Sequence, residues 1–226
     1  MEQPLQQPEN NEAHERQLLW EETLANLDTV IDKLGHHIDP HIKESVAAFM
    51  VNGFPTASSC EGHIKERSKQ VKKNKPYVAI EHEVPKERYI GEQEIRQEIA
   101  ATFGLTDLEF KVNKEAENAF WNYIEQNHIP ETPEFIAARA KNNEAEREII
   151  SLLALFYSTH QEGEHAKLKT ERVNAAGRFR VTTASDDKPL NEAEVADAEQ
   201  ELIAEQEEMR AFTEYLKKRF FGSDAQ

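Results

Sequence analysis

The stretch that decides the fold is Gly53-Phe54-Pro55-Thr56-Ala57-Ser58-Ser59-Cys60-Glu61-Gly62-His63. It contains the only cysteine of the chain, three residues before a histidine. Because Pro55 disfavours the helical region for the residue before it, we predict a short extended segment over 54–60. Neither a core strand nor a solvated helix requires a thiol, a carboxylate and an imidazole within so few positions. We therefore predict that this polar loop between ordered elements is a functional site.

Two helices are predicted before this stretch. Residues 1–11 are rich in Gln, Pro, Asn and Glu, and we expect them to form a disordered tail. Apolar residues at helical spacing predict the first helix over 12–34. Asp39 and Pro40 have the pattern of a helix start, with the aspartate as N-cap and the proline in the first turn. Since the N-cap role explains Asp39, we do not interpret the three histidines around it, His36, His37 and His41, as metal ligands.

A basic segment and a strand are predicted directly after the stretch. Residues 65–75 contain six basic side chains and a single acid, and we predict a loop. A solvated loop is the more common explanation of such a charge run, although beside a site it also indicates an anionic ligand. Residues 76–84 alternate as a strand does, which places His82 on the face that carries the apolar residues.

The remaining elements are predicted from periodicity and turn signals. They comprise helices over 92–103, 113–127 and 132–156, a strand over 108–112, a hairpin of strands 167–173 and 178–183, and a last helix over 192–220. The last helix has an apolar stripe that either packs on the domain or pairs with a second copy of the chain: Val195, Ala198, Leu202, Met209, Phe212 and Leu216.

These elements predict an α+β fold. We expect a small, mostly antiparallel sheet packed with several helices, and a long C-terminal helix. The domain organisation that follows is one α+β domain over 12–226, with a helical insertion over about 113–160.

Composition limits the partners and the compartment. The formal net charge of −16 repels anionic membranes and nucleic acid, except locally at the basic segment 65–75. No apolar run approaches the roughly 20 residues of a membrane span. One cysteine excludes an internal disulfide, and the N-terminus lacks the pattern of a signal peptide. Together these features predict a cytoplasmic protein without a membrane partner.

The first chemical interpretation of the site is metal binding. Cys60 and His63 have the C-x-x-H spacing that lets a turn present sulfur and nitrogen to one ion. His82 on the next strand is the candidate third ligand. This donor set favours zinc or iron over magnesium, and three ligands suit an open site better than a closed structural one.

The second interpretation is nucleophilic catalysis, with Cys60 as the nucleophile and His63 or His82 as its base. The basic segment would lower the pKa of the thiol. We expect His82 to be the better partner, because a cysteine and a histidine three residues apart on a turn rarely reach a good hydrogen bond.

The third interpretation is binding of a small anionic ligand without covalent chemistry. The candidate residues are those with hydroxyl groups, amides or positive charge around the turn: Thr56, Ser58, Ser59, Glu61, Gly62, Lys65 and Arg67. The structural alternative to all three is that Cys60 is a small buried residue, Gly62 a turn, and both histidines satisfied polar groups.

Two resemblances extend this interpretation. Residues 31–80 resemble a group of bacterial proteins, many from candidate-phyla genomes, that share Ile-Asp-Lys-Leu-Gly-x-x-Ile-Asp, a helix, and Gly-x-x-Thr-x-x-Ser-Cys-Glu-Gly-His before an aromatic-led strand. This resemblance implies no particular activity. Thr56, Ser58, Ser59, Cys60, Gly62 and His82 are also similar to the Thr-x-Ser-Ser-Cys-Ser-Gly-Arg motif and following strand of the wybutosine-synthesis methyltransferases, which modify tRNA with S-adenosylmethionine. Glu61 and His63 depart from that motif.

The leading hypothesis is a ligand- or metal-binding pocket built on the Cys60-Glu61-Gly62-His63 loop. The second resemblance implies that this loop lines a pocket, and it gives the alternative of an RNA- or nucleotide-modifying enzyme that uses S-adenosylmethionine. A further alternative is a non-enzymatic interaction protein that uses its acidic C-terminal helix. The sequence leaves open whether the protein is an enzyme.

Overall fold

The computed structural model describes residues 9–31, 35–67, 70–161, 166–185 and 189–222. The elements are α1 (Glu9–Thr29), α2 (Pro40–Val51), β1 (Thr56–Cys60), β2 (His63–Arg67), β3 (Gln70–Asn74), β4 (Tyr77–Ile80), α3 (Glu92–Phe103), α4 (Asp107–Phe110), α5 (Lys114–Gln126), α6 (Pro133–Thr159), β5 (Leu168–Arg172), β6 (Phe179–Thr183), β7 (Pro189–Leu190) and α7 (Val195–Phe221). This confirms the predicted α+β class, with antiparallel sheets and a long C-terminal helix. None of the described helices combines the length and the apolar character that a membrane crossing needs.

The strands form two antiparallel sheets. The larger has the order β1-β4-β6-β5, and the smaller has the order β2-β3-β7. In the larger sheet Thr56 lies opposite Ile80 and Cys60 opposite Tyr77, with an irregularity between Thr56 and Ser58. The chain passes from the larger sheet to the smaller one between Cys60 and His63, so the predicted site lies at the junction of the two sheets.

The chain divides into two compact units. The first comprises residues 1–82 and 142–226, and the second comprises 83–141. The predicted organisation was one domain over 12–226 with a helical insertion over about 113–160, and the second unit overlaps that insertion only over 113–141. The inserted part begins at residue 83 because α3, α4 and α5 share a core of their own, formed by Ile95, Ala100, Phe110, Ala116, Phe120 and Ile124.

The core of the first unit lies between β4 and β6 and the helices α1, α2, α6 and α7. Its fully buried side chains include Phe49, Ile80, Ile149, Phe179, Phe212 and Leu216. Met209, Phe212 and Leu216 from the apolar stripe of α7 belong to this core, and Ala198 and Leu202 of the same stripe are also buried within the chain. The stripe is therefore buried by the chain's own residues. The structure gives no support to a homo-oligomer formed through this face of the C-terminal helix.

Three local predictions are wrong. Residues 108–112 do not form a strand, because Thr106 and Glu109 form a capping box that starts the short helix α4. The basic segment is not a loop, since most of it forms the β2–β3 hairpin. The first helix begins earlier and ends earlier than predicted, at Glu9 and Thr29. Residues 1–8 of the predicted tail lie outside the described residues.

Candidate functional site

The two residues between β1 and β2 are fixed by contacts from both neighbouring helices. The backbone amide of Glu61 donates to Oδ2 of Asp39, at 3.3 Å. Nε2 of Gln206 on α7 donates to the carbonyl oxygens of Glu61 and Gly62, at 3.1 and 3.3 Å. Gly62 itself is buried, with a φ of +84°. The start of α2 and the middle of α7 therefore determine where the Glu61 side chain lies.

Asp39 has a different role from the one that its sequence position suggests. It occupies the N-cap position of α2, but its side chain makes no capping hydrogen bond. The carboxylate accepts from the Glu61 amide instead. The aspartate that the sequence predicts as an N-cap thus makes a tertiary contact with the predicted site.

A cavity of about 160 Å³ lies beside this loop. Its walls come from α2, α7, the loop and the residue before β4: His41, Ile42, Ser45, Glu61, Pro76, Gln206, Met209 and Arg210. Of the predicted site residues whose side chains the structure describes, Glu61 is the one that lines it. Four polar lining residues were not predicted, because His41, Ser45, Gln206 and Arg210 lie on helices and no local pattern connects them to the loop. The only sequence signal was the proximity of His41 to Asp39.

The Glu61 carboxylate has an oxygen that the protein leaves unsatisfied. Its Oε2 is shielded from solvent and has no hydrogen-bond partner in the part of the chain that the structure describes. Arg210, on the same cavity, is exposed and forms no ion pair with any described residue. The cavity thus presents an acceptor and a cation that are not used by the fold.

Cys60 and His63 form a pair of their own. The Cys60 Sγ lies 3.6 Å from Nδ1 of His63, and the amide of Gly62 donates to the same sulfur at 3.4 Å. The expectation that a cysteine and a histidine at this spacing would not meet is therefore wrong. Neither residue is among those that line the cavity.

The surroundings of Cys60 favour the neutral thiol. Burial raises the pKa of the Cys60 thiol, the carboxylates of Asp39 and Glu61 raise it further, and the Gly62 amide and Lys65 lower it. The net direction is upward, whereas a nucleophilic cysteine needs a lowered pKa. This direction gives no support to the prediction that the basic segment would activate Cys60 as a catalytic thiolate.

We expect Cys60 to react slowly with iodoacetamide in the folded protein. Because its pKa is raised, the rate should increase with pH only above the range of an ordinary cysteine, and at pH 7.5 it should be several-fold lower than in denaturant. The pH profile of alkylation, followed by mass spectrometry, measures this directly. The unfolded chain is the control, since it carries the same single thiol. A profile shifted to lower pH than that of the unfolded chain would contradict the inference.

His82 does not share a site with Cys60. Cys60 lies opposite Tyr77, at one end of the β1–β4 pair, and the pairing continues at the other end, where the amide of Glu81 donates to Pro55. His82 follows that far end, five residues and about 16 Å along the chain from Tyr77 at roughly 3.3 Å per residue. The prediction of Cys60 and His82 as a catalytic pair is therefore wrong. The backbone amide of His82 donates to Asn142.

The same register removes the predicted three-ligand metal site of Cys60, His63 and His82. Among the described residues, no group of three or more His, Cys, Asp or Glu side chains is arranged to bind a metal ion. The donors that would favour zinc or iron are thus not brought together.

The other predicted ligand residues lie away from the cavity. Ser58 accepts a hydrogen bond from Arg178 at 2.7 Å, and Thr56 and Ser59 belong to β1 but do not line the cavity. Lys65 is exposed on β2, and the side chain of Arg67 lies outside the described part of the chain. The predicted set for an anionic ligand is therefore not assembled around one cavity.

The positive charge of segment 65–75 is partly neutralised inside the protein. Lys73 is fully buried, and its Nζ lies 2.6 Å from Glu205 and 3.0 Å from Glu201. Lys75 is also buried, and it donates to the carbonyl of Ser185 at 2.9 Å. The segment therefore stabilises the contact between β3 and α7, and it does not present all its charges to a nucleic acid.

The chain was compared with known proteins at three levels. No protein-family model, no curated protein and no solved structure matches it.

Proposed function

We propose that this protein binds a compact polar ligand in the cavity beside the Glu61–Gly62 turn, with Glu61 as the main polar contact. The observation that carries the proposal is Oε2 of Glu61, which is shielded from solvent and lacks a donor among the described residues. A ligand that brings an ammonium or amide N–H to this oxygen would satisfy it.

The energetics support a role in binding. A buried acceptor without a partner costs about 1–3 kcal/mol, and more when it is charged. The backbone of Glu61 is nevertheless fixed by Asp39 and Gln206, so the side chain is presented from a prearranged loop. Prearrangement lowers the entropy lost on binding, and it increases affinity for a donor that fits.

The size of the cavity limits the ligand. An engineered protein cavity of about 150 Å³ accommodates one benzene molecule. At about 160 Å³, this cavity suits a ligand of roughly six to ten non-hydrogen atoms. A nucleoside is larger than this, so the cavity gives no support to S-adenosylmethionine as its ligand. The interaction-protein alternative has no support from α7, whose apolar stripe is buried in the core.

The test is a ligand-observed NMR screen of the full chain against polar fragments of up to about ten non-hydrogen atoms. We expect hits enriched in amines and amides, with affinity reduced at least about tenfold by Glu61→Gln, because this change removes the charge and keeps the shape. The matched control is Glu207→Gln, which removes an exposed charge from α7 outside the cavity. Hits that Glu61→Gln and Glu207→Gln affect equally, or the absence of any hit, would overturn the proposal.

A further inference from the structure

We propose that the ligand is a zwitterion of the α-amino-acid class, with its ammonium group at Glu61 and its carboxylate at Arg210. This inference rests on the proposed function and specifies the substrate class of the same cavity. It depends on the charges that the fold leaves unused, on the side chains that are already occupied, and on the apolar wall between them.

Among the described residues that line the cavity, Glu61 is the one carboxylate and Arg210 the one guanidinium, and His41 is the remaining titratable side chain. Glu61 and Arg210 both line the cavity, and in the described parts of the chain neither forms an ion pair, with the other or with a third residue. A ligand with a single charge would satisfy one of them and leave the other without a counter-ion. A ligand with an ammonium and a carboxylate satisfies both, and it adds no net charge to a partly desolvated site.

Two of the three other polar lining residues are already engaged, whereas His41 is exposed and forms no hydrogen bond or ion pair with any described residue. Gln206 donates to the carbonyl groups of the loop, and the hydroxyl of Ser45 is hydrogen-bonded to that of Thr213, at 2.7 Å. Those two side chains fix the walls of the cavity and are not free recognition groups. We therefore assign recognition of the ligand's charges to Glu61 on the turn and Arg210 on α7.

Apart from His41, the rest of the wall is apolar. Ile42 and Met209 are 3% and 1% exposed, and the neighbouring Pro76 is also buried. Such a wall accepts an aliphatic side chain, and the volume of about 160 Å³ excludes a large aromatic one. The inferred ligand is thus a small amino acid with an aliphatic or short polar side chain.

The experiment is calorimetric titration of the full chain with glycine, alanine, serine, valine and leucine, and with two analogues of valine. Isobutylamine lacks the carboxylate of valine, and 3-methylbutanoate lacks its ammonium group. We expect at least one amino acid to bind, and valine to bind at least about tenfold more tightly than either analogue, because each analogue leaves one charge of the cavity unpaired.

Two variants test which side chain of the cavity binds each charged group of the ligand. Glu61→Gln should weaken valine binding at least about tenfold and leave 3-methylbutanoate unchanged, whereas Arg210→Gln should weaken valine and leave isobutylamine unchanged. The controls are Glu207→Gln and Lys218→Gln, which remove exposed charges of the same sign from α7 outside the cavity.

The outcomes separate the two proposals. If isobutylamine binds as tightly as valine and Arg210→Gln has no effect, the zwitterion inference is overturned and the binding cavity stands. The same holds if none of the five amino acids binds while other fragments bind in a Glu61-dependent way. If no fragment and no amino acid binds, both are overturned.

Discussion

Gly62→Ala is expected to lower the free energy of unfolding of the first unit by about 3 kcal/mol, the sum of a backbone cost and a packing cost. Gly62 has a φ of +84°, a conformation that side chains other than glycine rarely adopt. A Cβ atom there would lie 2.8 Å from Cδ1 of Leu202, 2.9 Å from the nitrogen of Pro76 and 3.0 Å from its Cδ. Leu202 can rotate, but the backbone at Pro76 cannot move without displacing β4.

Gly53→Ala is the matched control for this substitution. Gly53 has nearly the same φ, +88°, but nothing lies within 4 Å of the position of its Cβ. We therefore expect only the cost of the left-handed backbone, about 1–2 kcal/mol. The difference in the free energy of unfolding between the two variants measures the cost of the close approach of α7 and Pro76 to the turn.

The measurement is equilibrium unfolding in urea, with fluorescence as the probe. The chain has two tryptophans, Trp20 in the first unit and Trp121 in the second. A Trp121→Phe background makes Trp20, which is buried in the core of the first unit, the reporter of the unit that contains Gly62. If Gly62→Ala and Gly53→Ala lower the free energy of unfolding equally, the close approach of Leu202 and Pro76 to position 62 does not contribute to the cost.

The elements that sequence patterns predict well are those with strong local signals. The Asn113 side chain accepts hydrogen bonds from the amides of Glu115 and Ala116, so the predicted start of α5 is confirmed. The β5–β6 hairpin is also confirmed, because its flanking residues alternate and its turn contains Asn174 and Gly177. The hairpin of β2 and β3 was not predicted, because its charged residues lack the apolar alternation that indicates a strand.

The candidate site was predicted only in part, for a physical reason. The polar turn at Glu61–Gly62 was recognisable from its composition, but the side chains that complete the cavity come from α2 and α7. Gln206 is separated from Glu61 by 145 positions. Contacts of this range depend on packing between elements, and no local period encodes them. The Cys60–His82 pairing failed for the same reason, because the register of β1 against β4 separates the two residues.

Lys73→Met is expected to lower the free energy of unfolding by about 3–5 kcal/mol, because it leaves a buried carboxylate without its counter-ion. The Lys73 and Glu205 side chains are 1% and 2% exposed, and their charged atoms lie 2.6 Å apart. Oε2 of Glu205 already lacks a hydrogen-bond partner among the described residues, so nothing nearby replaces the lysine. Glu201, the second partner, is 47% exposed and returns to water more easily.

The double variant Lys73→Met/Glu205→Met should recover most of this loss. Removing both charges also removes the desolvation penalty, and two apolar side chains of similar length can fill the space between β3 and α7. Lys72→Met is the control on the same strand, since Lys72 is exposed, and we expect a change within about 0.5 kcal/mol. Urea unfolding in the Trp121→Phe background measures all three. A double variant as unstable as Lys73→Met would show that the unpaired carboxylate is not the cause.

The same series tests how the ion pair relates to the cavity. Glu205 precedes Gln206, whose side chain fixes the Glu61–Gly62 turn, and α7 also provides Met209 and Arg210 to the wall. If the pair serves only to position α7, the double variant should regain ligand affinity together with stability. Amino-acid or fragment binding by the double variant, compared with that of Lys72→Met, measures this. A variant that recovers stability but stays unable to bind would mean that the charges of Lys73 and Glu205 contribute to the cavity beyond the position of the helix.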